Sequence, residues 1–490
     1  MLCILNVLHY LLNLHLVDKT ALEERQHFCL ELARALLATG APSHRIEAQL
    51  ECVARKLQIE ATFVYLPGSV LVSLGDENNR SSRVETVNAT TKLAVGKIHV
   101  LHKLYRRVLG NKISVKAANE SLRAVLKAPP EYSAKFRLIL AFACSALICP
   151  MSFGGSFLDM LMSGLGGALL CFMQFFFIVK HPMYASVFEL SVAFIMSFFA
   201  RALSIIPGHF FCYSAISSGA TVLILPGYII LCSALELGSK NMNAGSIRLV
   251  YAIIYSLLLG VGLTLGSDLY FVLDPRARRL QQEVINLQEL VKINGTFLAD
   301  NFPGYELHGT FGFTQAAKEF LPPLKGCLRE PTWPWYKRPF PFWTIFLLVP
   351  AYCTFASLWK GQPINRHLPV MVLFACCSYA ANRVAKQYIE DRSDVTSAVG
   401  AFVLGLLGNT YSRVFKGTAF TSMITGVVFL VPSSLGYGGG LSFSGDLYTE
   451  SIMLGFRMVQ IAIGVTVGLF TSALVVYSFG SKKNAAIFAF

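Results

Sequence analysis

Two prolines, Pro226 and Pro432, stand inside long apolar runs, Gly219 to Leu235 and Thr425 to Leu435. Proline has no N–H to donate, and its ring clashes with the carbonyl four residues back, so it breaks or kinks a helix. In lipid the freed carbonyl needs another partner, and interrupted spans find one by lining a protein cavity. Small polar residues gather at both places. Ser217 and Thr221 share one helix face ahead of Pro226, and Gly227 follows it. Thr421 and Thr425 stand likewise ahead of Pro432, which Ser433 and Ser434 follow. Asn409 lies in the apolar run before that. Broken helix ends present free N–H and C=O groups suited to the carboxylate and ammonium of a zwitterion. The expected substrate site is therefore Ser217, Thr221, Pro226, Gly227, Asn409, Thr425, Pro432 and Ser433. The alternative for such hydroxyls is helix packing or bonding to their own backbone.

Charges inside apolar runs are the second group, because ionisable residues there are usually functional. Asp159, Glu189 and Arg201 are the candidates for coupling or gating. Glu189 and Arg201 share one run, twelve residues or roughly 18 Å apart along a helix, too far to pair. Snorkelling to the interface is their structural alternative. For Asp159, just after Phe153-Gly154-Gly155-Ser156, the alternative is a helix-start carboxylate favoured by the dipole.

The elements that must position these residues are membrane helices. Hydrophobic residues make up 54% and charged ones 14% of the 490, against roughly 25% charge in soluble domains. Mean hydropathy is +0.54. The net charge of +14 reads as Lys and Arg on cytoplasmic faces, not as a nucleic-acid surface, since no aromatic-plus-basic RNA motif is present. The 12 cysteines show no CxxC or metal spacing and read as small buried hydrophobes. Cys327 is the only one in the long central loop, so that loop offers no internal pair. No P-loop, HExxH, GxSxG or paired-carboxylate signature is present. No enzyme activity, metal or cofactor is expected.

Along the chain, residues 1–17 are apolar and read as an amphipathic surface helix. Residues 18–136 read as a small α+β domain. Its helix over 21–38 stops at Gly40, and Ser43 caps the next helix. Strands at 59–66 and 69–74 flank a Pro67-Gly68 hairpin turn, with a third strand at 83–87. Two helices follow, near 92–109 and 114–126. Five spans fall in 137–273, near 137–152, 158–179, 185–206, 210–235 and 248–272. A polar linker, 274–341, contains a short helix through Ile293. Five more spans fall in 342–490, near 342–358, 367–384, 395–411, 418–435 and 452–478. Gly436 to Gly440 reads as an external turn.

The two groups of five match weakly. Gly155 with Gly361, Phe194 with Phe402, Pro226 with Pro432, and Gly260 with Gly464 keep register within two residues. Five spans per repeat force opposite orientations, which is the inverted-repeat plan of many secondary transporters. The fold class is thus a mainly α polytopic membrane protein of about ten transmembrane helices. Two inverted five-helix repeats follow a small α+β cytoplasmic domain. Loop charge places both termini in the cytoplasm, although Arg276, Arg278 and Arg279 then fall outside.

Four stretches resemble the threonine/serine exporter family, including its fungal branch of pheromone-regulated membrane proteins. They are Leu36 to Glu47 (LLATGAPSHRIE) with Ser82-Arg83-Val84, Phe153 to Ser156 with Asp159, Leu225-Pro226-Gly227, and Gly245 to Leu249 (GSIRL). The resemblance implies a ten-span transporter with a cytoplasmic N-terminal domain. For bacterial members it implies export of threonine and serine driven by the proton gradient. The second half departs from the pattern with Val431-Pro432-Ser433. The expected function is a secondary transporter exporting small neutral amino acids, with the proton as coupling ion and a plasma or vacuolar membrane as its place. A homo-oligomer is compatible with this. The alternative is a membrane scaffold whose cytoplasmic domain binds protein partners.

Overall fold

The computed structural model describes residues 22–76, 81–90, 93–178, 187–208, 210–280, 291–298, 306–313, 327, 332–389, 392–415, 419–435 and 447–478. The expected surface helix within residues 1–17 and the turn at 436–440 lie outside them.

The N-terminal domain forms as its pattern dictates. Helix α1 (22–38) stops at Gly40, whose φ of 78° is left-handed and suits glycine. Helix α2 (Ser43–Lys56) precedes an antiparallel sheet in the order β1 (Ala61–Leu66), β2 (Ser69–Asp76), β3 (Ser81–Asn88). Pro67-Gly68 makes the two-residue turn, with Leu66 opposite Ser69. Helices α3 (Val95–Leu109) and α4 (Val115–Lys127) close the domain. Phe28, Leu32, Ile46, Leu50, Val72, Leu101 and Leu122 are buried in its one core. Ser43 does not cap α2: the cap position falls on Pro42, with no side-chain cap, and Ser43 begins the helix.

The first apolar group holds α5 (Ala134–Phe153), α6 (Phe157–Met173, prolonged by a π-turn to Ile178), α7 (Phe188–Ser204), α8 (Tyr213–Thr221), α9 (Gly227–Gly238) and α10 (Met242–Leu273). A short helix, α11 (275–280), follows. The second group holds α12 (Ile345–Trp359), α13 (Leu368–Tyr388), α14 (Ser393–Phe415), α15 (Ala419–Leu435) and α16 (Leu447–Ser478). Helices therefore stand where all ten spans were expected. Among the described residues six are long and apolar enough to cross a membrane, or seven counting α8 and α9 as one bent span. Helices α7 and α15 fall short on length, and α14 on apolarity.

Several helix pairings recur in both groups: first with second, first and second with fourth, third with fourth and fifth; second and third pack extensively only in the second group, α13 against α14. Each first helix ends at a left-handed glycine, Gly154 (φ 66°) and Gly361 (φ 75°). Third and fifth helices meet backbone to backbone in both groups. A Cβ on Gly262 or Gly266 would run into the carbonyls of Leu190 and Phe194. One on Gly464 or Gly468 would meet those of Asp394 and Ala398. Small residues four apart allow that approach.

Three expectations fail. Pro226 breaks its helix, with a 56° bend between Tyr213–Ile224 and Gly227–Gly238, but Pro432 lies inside the continuous α15. It sits near the C-terminal end, so only the last turns bear the missing bond. The linker carries no helix through Ile293. Strand β4 (Val291–Leu298) pairs antiparallel with β5 (Glu306–Phe313), Ile293 opposite Phe311; both strands have glycines and alternating apolar residues, a strand pattern. Finally, Cys212 is no free buried thiol. It is disulfide-bonded to Cys327 across 115 residues of sequence, a partner outside the loop.

Candidate functional site

The break at Pro226 opens a cavity of about 140 Å³ between the two helix groups. A cavity of ~150 Å³ holds a benzene-sized molecule, so this one suits a small metabolite. Its first-group wall is Cys144 of α5, Val222, Leu223 and Leu225 before the break, and Gly227 and Tyr228 after it. The second group supplies Tyr352, Ala356, Trp359 and Lys360 from the end of α12, with Thr425, Phe429 and Pro432 of α15. Local chemistry explains the break. Leu225 is extended (ψ 136°), as the residue before proline prefers. A Cβ on Gly227 would touch Val431 and Val428 of α15, so α9 starts directly against the other group.

Of the expected substrate residues, the cavity brings together Gly227, Thr425 and Pro432. The Thr425 hydroxyl is 2.9 Å from that of Ser357. The others are not in its wall. The Ser217 hydroxyl donates to the Tyr213 carbonyl and that of Thr221 to the Ser217 carbonyl, both at 2.8 Å. This is the backbone-bonding alternative. Pro226 makes the bend from behind. The Ser433 carbonyl accepts from the Lys386 ammonium. Asn409 is fully buried in α14, and neither end of its amide has a partner among the described residues.

The expected coupling residues lie apart from the cavity. Asp159 builds a capping box with Ser156, whose N–H donates to Oδ2 at 2.8 Å, and its Oδ1 accepts from the Cys212 N–H at 2.8 Å. It is the helix-start carboxylate, and it also pins the start of α8. Arg201 donates to the Ser267 hydroxyl at 2.8 Å and stacks on Tyr213, 3.4 Å from the ring centre; it is not snorkelling. Glu189 is in the first turn of α7.

A second polar cluster, centred on Glu236, ties the N-terminal domain to α9 and α10. Glu236 is fully buried. Its Oε1 accepts from the Ser43 N–H at 2.9 Å and from Arg248 at 2.7 Å. An unbonded N–H of the α2 first turn is thereby satisfied from the membrane part. Arg248 also reaches the Tyr65 hydroxyl. Asn241 donates to Glu47 at 2.9 Å, and Glu47 accepts from the Tyr65 N–H at 2.9 Å. Burial raises the Glu47 carboxyl above its ordinary range. Nearby, Arg45 lies over Phe420, 5.1 Å from the ring centre. Burial, aided by Arg45 and Arg248, pushes His44 down to about 3.

This domain also borders the cavity. The Tyr228 hydroxyl donates to the Gly40 carbonyl. The first N–H groups of α3, on Val95 and Gly96, donate to the Lys360 and Gly361 carbonyls at 3.1 and 3.2 Å. Free ends of two helices thus satisfy each other. Lys360 itself keeps partial exposure although deeply enclosed, as a side chain opening on a cavity does. Burial lowers its ammonium to about 8.

Sequence reasoning singled out neither Lys360 nor Glu236. Lys360 reads as an ordinary cytoplasmic-loop cation. Glu236 carried a usable signal: a carboxylate ending the Pro226 apolar run, twelve residues before Arg248.

A family model for threonine/serine exporters matches residues 27–270, and a second, described as "Threonine/Serine exporter, ThrE", matches 344–475. The chain is 34% identical to "Pheromone-regulated membrane protein 10" of Saccharomyces cerevisiae, over 96% of this chain and 56% of that protein. The namesake from Eremothecium gossypii is 32% identical, over 96% and 58%. An uncharacterized Schizosaccharomyces pombe protein is 33% identical, over 98% and 58%. The chain thus spans little more than half the length of these curated relatives. No solved structure matches it.

Proposed function

The chain belongs to the threonine/serine exporter family, and from that premise we propose that it is a secondary transporter exporting small neutral amino acids of the threonine/serine kind, coupled to the proton gradient. The observation that carries this reading is the cavity at the Pro226 break, walled by both helix groups. Transporter sites are built at interrupted helices between repeats. The matched glycine pairs and helix pairing support a ten-span plan of two repeats, with α7, α14 and α15 as short or less apolar spans inside the bundle. An odd number of spans per repeat inverts them.

The disulfide supports the proposed orientation. Helix α5 starts beside the N-terminal domain and ends at Phe153, near Cys327. Disulfides persist in oxidising compartments. The Cys212–Cys327 end therefore faces outside or a lumen, and the N-terminal domain the cytoplasm. The competing scaffold reading needs an N-terminal domain with its distinctive residues free. Here Gly40, Ser43, Arg45 and Glu47 all face the membrane part.

The test is uptake of labelled threonine and serine into proteoliposomes, with and without an imposed proton gradient. Saturable flux that collapses with a protonophore is expected. Gradient-independent flux would remove the coupling. Folded protein silent toward a panel of amino acids would remove the transporter.

A further inference from the structure

Resting on the reading of the cavity as a substrate site, we propose that Lys360 makes it a carboxylate site, one that takes small monocarboxylates whether or not they carry an amino group. Three observations converge. First, Lys360 is the only charged residue in the wall, and no Asp or Glu lines it among the described residues. No carboxylate there offers an ion pair to an ammonium group, while an enclosed cation calls for an anion. Second, α9 begins in the wall with Gly227 and Tyr228, so the positive end of a twelve-residue helix faces the same space. Third, a further cation touches a wall residue: the Arg137 guanidinium lies over the Trp359 ring, 5.2 Å from its centre.

The rest of the wall sets size and tolerance. Tyr352 and Phe429, in contact at 4.6 Å between ring centres, with Val428 and Val431, leave room for a short apolar or hydroxylated side chain. The Thr425 hydroxyl is the polar group beside them. An α-amino group would meet hydroxyls and ring faces. An α-hydroxyl would meet the same groups at less desolvation cost, so lactate fits as threonine does. A cationic amino acid would add a second positive charge beside Lys360 and is excluded.

Trp359 provides a binding readout independent of transport. Full-length protein in detergent is titrated with L-threonine, L-lactate and L-threonine amide while tryptophan fluorescence is followed, with Trp359→Phe as the control that removes the response. Threonine and lactate should both produce a saturable change, and threonine amide, which lacks the carboxylate, none. Lys360→Met should weaken both carboxylates by roughly ten- to a hundredfold, the worth of one charged hydrogen bond, and Lys360→Arg should restore most of it. Unchanged threonine affinity in Lys360→Met of wild-type thermal stability would overturn the proposal, as would saturable binding of threonine amide. The two readings fail separately. Carboxylate binding without flux in proteoliposomes would sink the transporter and leave the carboxylate site. Threonine flux with wild-type affinity in Lys360→Met would do the reverse.

Discussion

The two helix groups share part of their packing and differ at their prolines. Both bring third and fifth helices into backbone contact through glycines four apart, Gly262 and Gly266 in one, Gly464 and Gly468 in the other. Both place a proline in the fourth helix. Yet Pro226 splits its helix and Pro432 does not. Proline alone does not decide a break. At Pro226 the preceding Leu225 is extended, so the chain re-enters as a new helix that starts at Gly227. In α15 the bond that Pro432 cannot donate is the one to the Val428 carbonyl, and the helix runs on through it to Leu435. One half supplies an opening and the other a wall, which a perfectly symmetric pair would not do.

That contrast can be attacked from its strongest point downward. Glu236, in the half-helix freed by the break, has no counterpart in the unbroken α15. Glu236→Ala takes the carboxylate from the partly buried Arg248, which keeps the Tyr65 hydroxyl, and leaves the Ser43 N–H without its acceptor. It should cost about 3–5 kcal/mol, read as lower thermal stability and faster amide exchange at residues 39–47. Wild-type exchange there would mean that the domain is held by other contacts. Next, Gly266→Ala and Gly468→Ala should destabilise alike, by roughly 1–3 kcal/mol each. A large difference between them would end the equivalence of the two groups. In transport, Pro226→Ala should lower flux on the order of tenfold, about 1.4 kcal/mol at the site, with Pro432→Ala nearer wild type. The opposite ranking would move the essential bend to the second group.

A further effect concerns acid. His44 is held neutral, its pKa lowered to about 3, below the ordinary 6.5. Between those values the unfolded chain binds a proton that the folded one refuses, so stability falls as pH drops below 6.5. The slope is at most about 1.4 kcal/mol per pH unit. Chemical denaturation at pH 7 and pH 5 should show it, and His44→Gln should flatten the difference.

Much of this fold was legible in periodicity and turn chemistry. Pro67-Gly68 between alternating runs gave the hairpin, and Gly40 with Pro42 gave the stop between α1 and α2. Helix positions followed from apolar length. What was not legible depended on groups distant in sequence. Ser43 reads as a cap until Glu236, 193 residues away, takes its N–H. Cys212 reads as a hydrophobe until Cys327 meets it. Lys360 reads as a topology signal because hydropathy cannot tell a cation in a loop from one opening on a cavity. Ser217 and Thr221 have the right spacing for a polar face, but spacing does not reveal that each hydroxyl bonds its own helix.

The connection between α4 and α5 has a kinetic meaning. The N-terminal domain ends at Lys127 and the first membrane helix starts at Ala134. A tether this short keeps the domain at an effective concentration of order millimolar or more over its docking surface. If the contacts at Gly40 and Lys360 part, they reclose as an intramolecular event that dilution does not slow. A soluble competitor would face that local concentration, whereas a ligand inside the cavity would act on the contacts directly. Occupancy of the cavity, more than any diffusing partner, is thus placed to set how often the domain lifts.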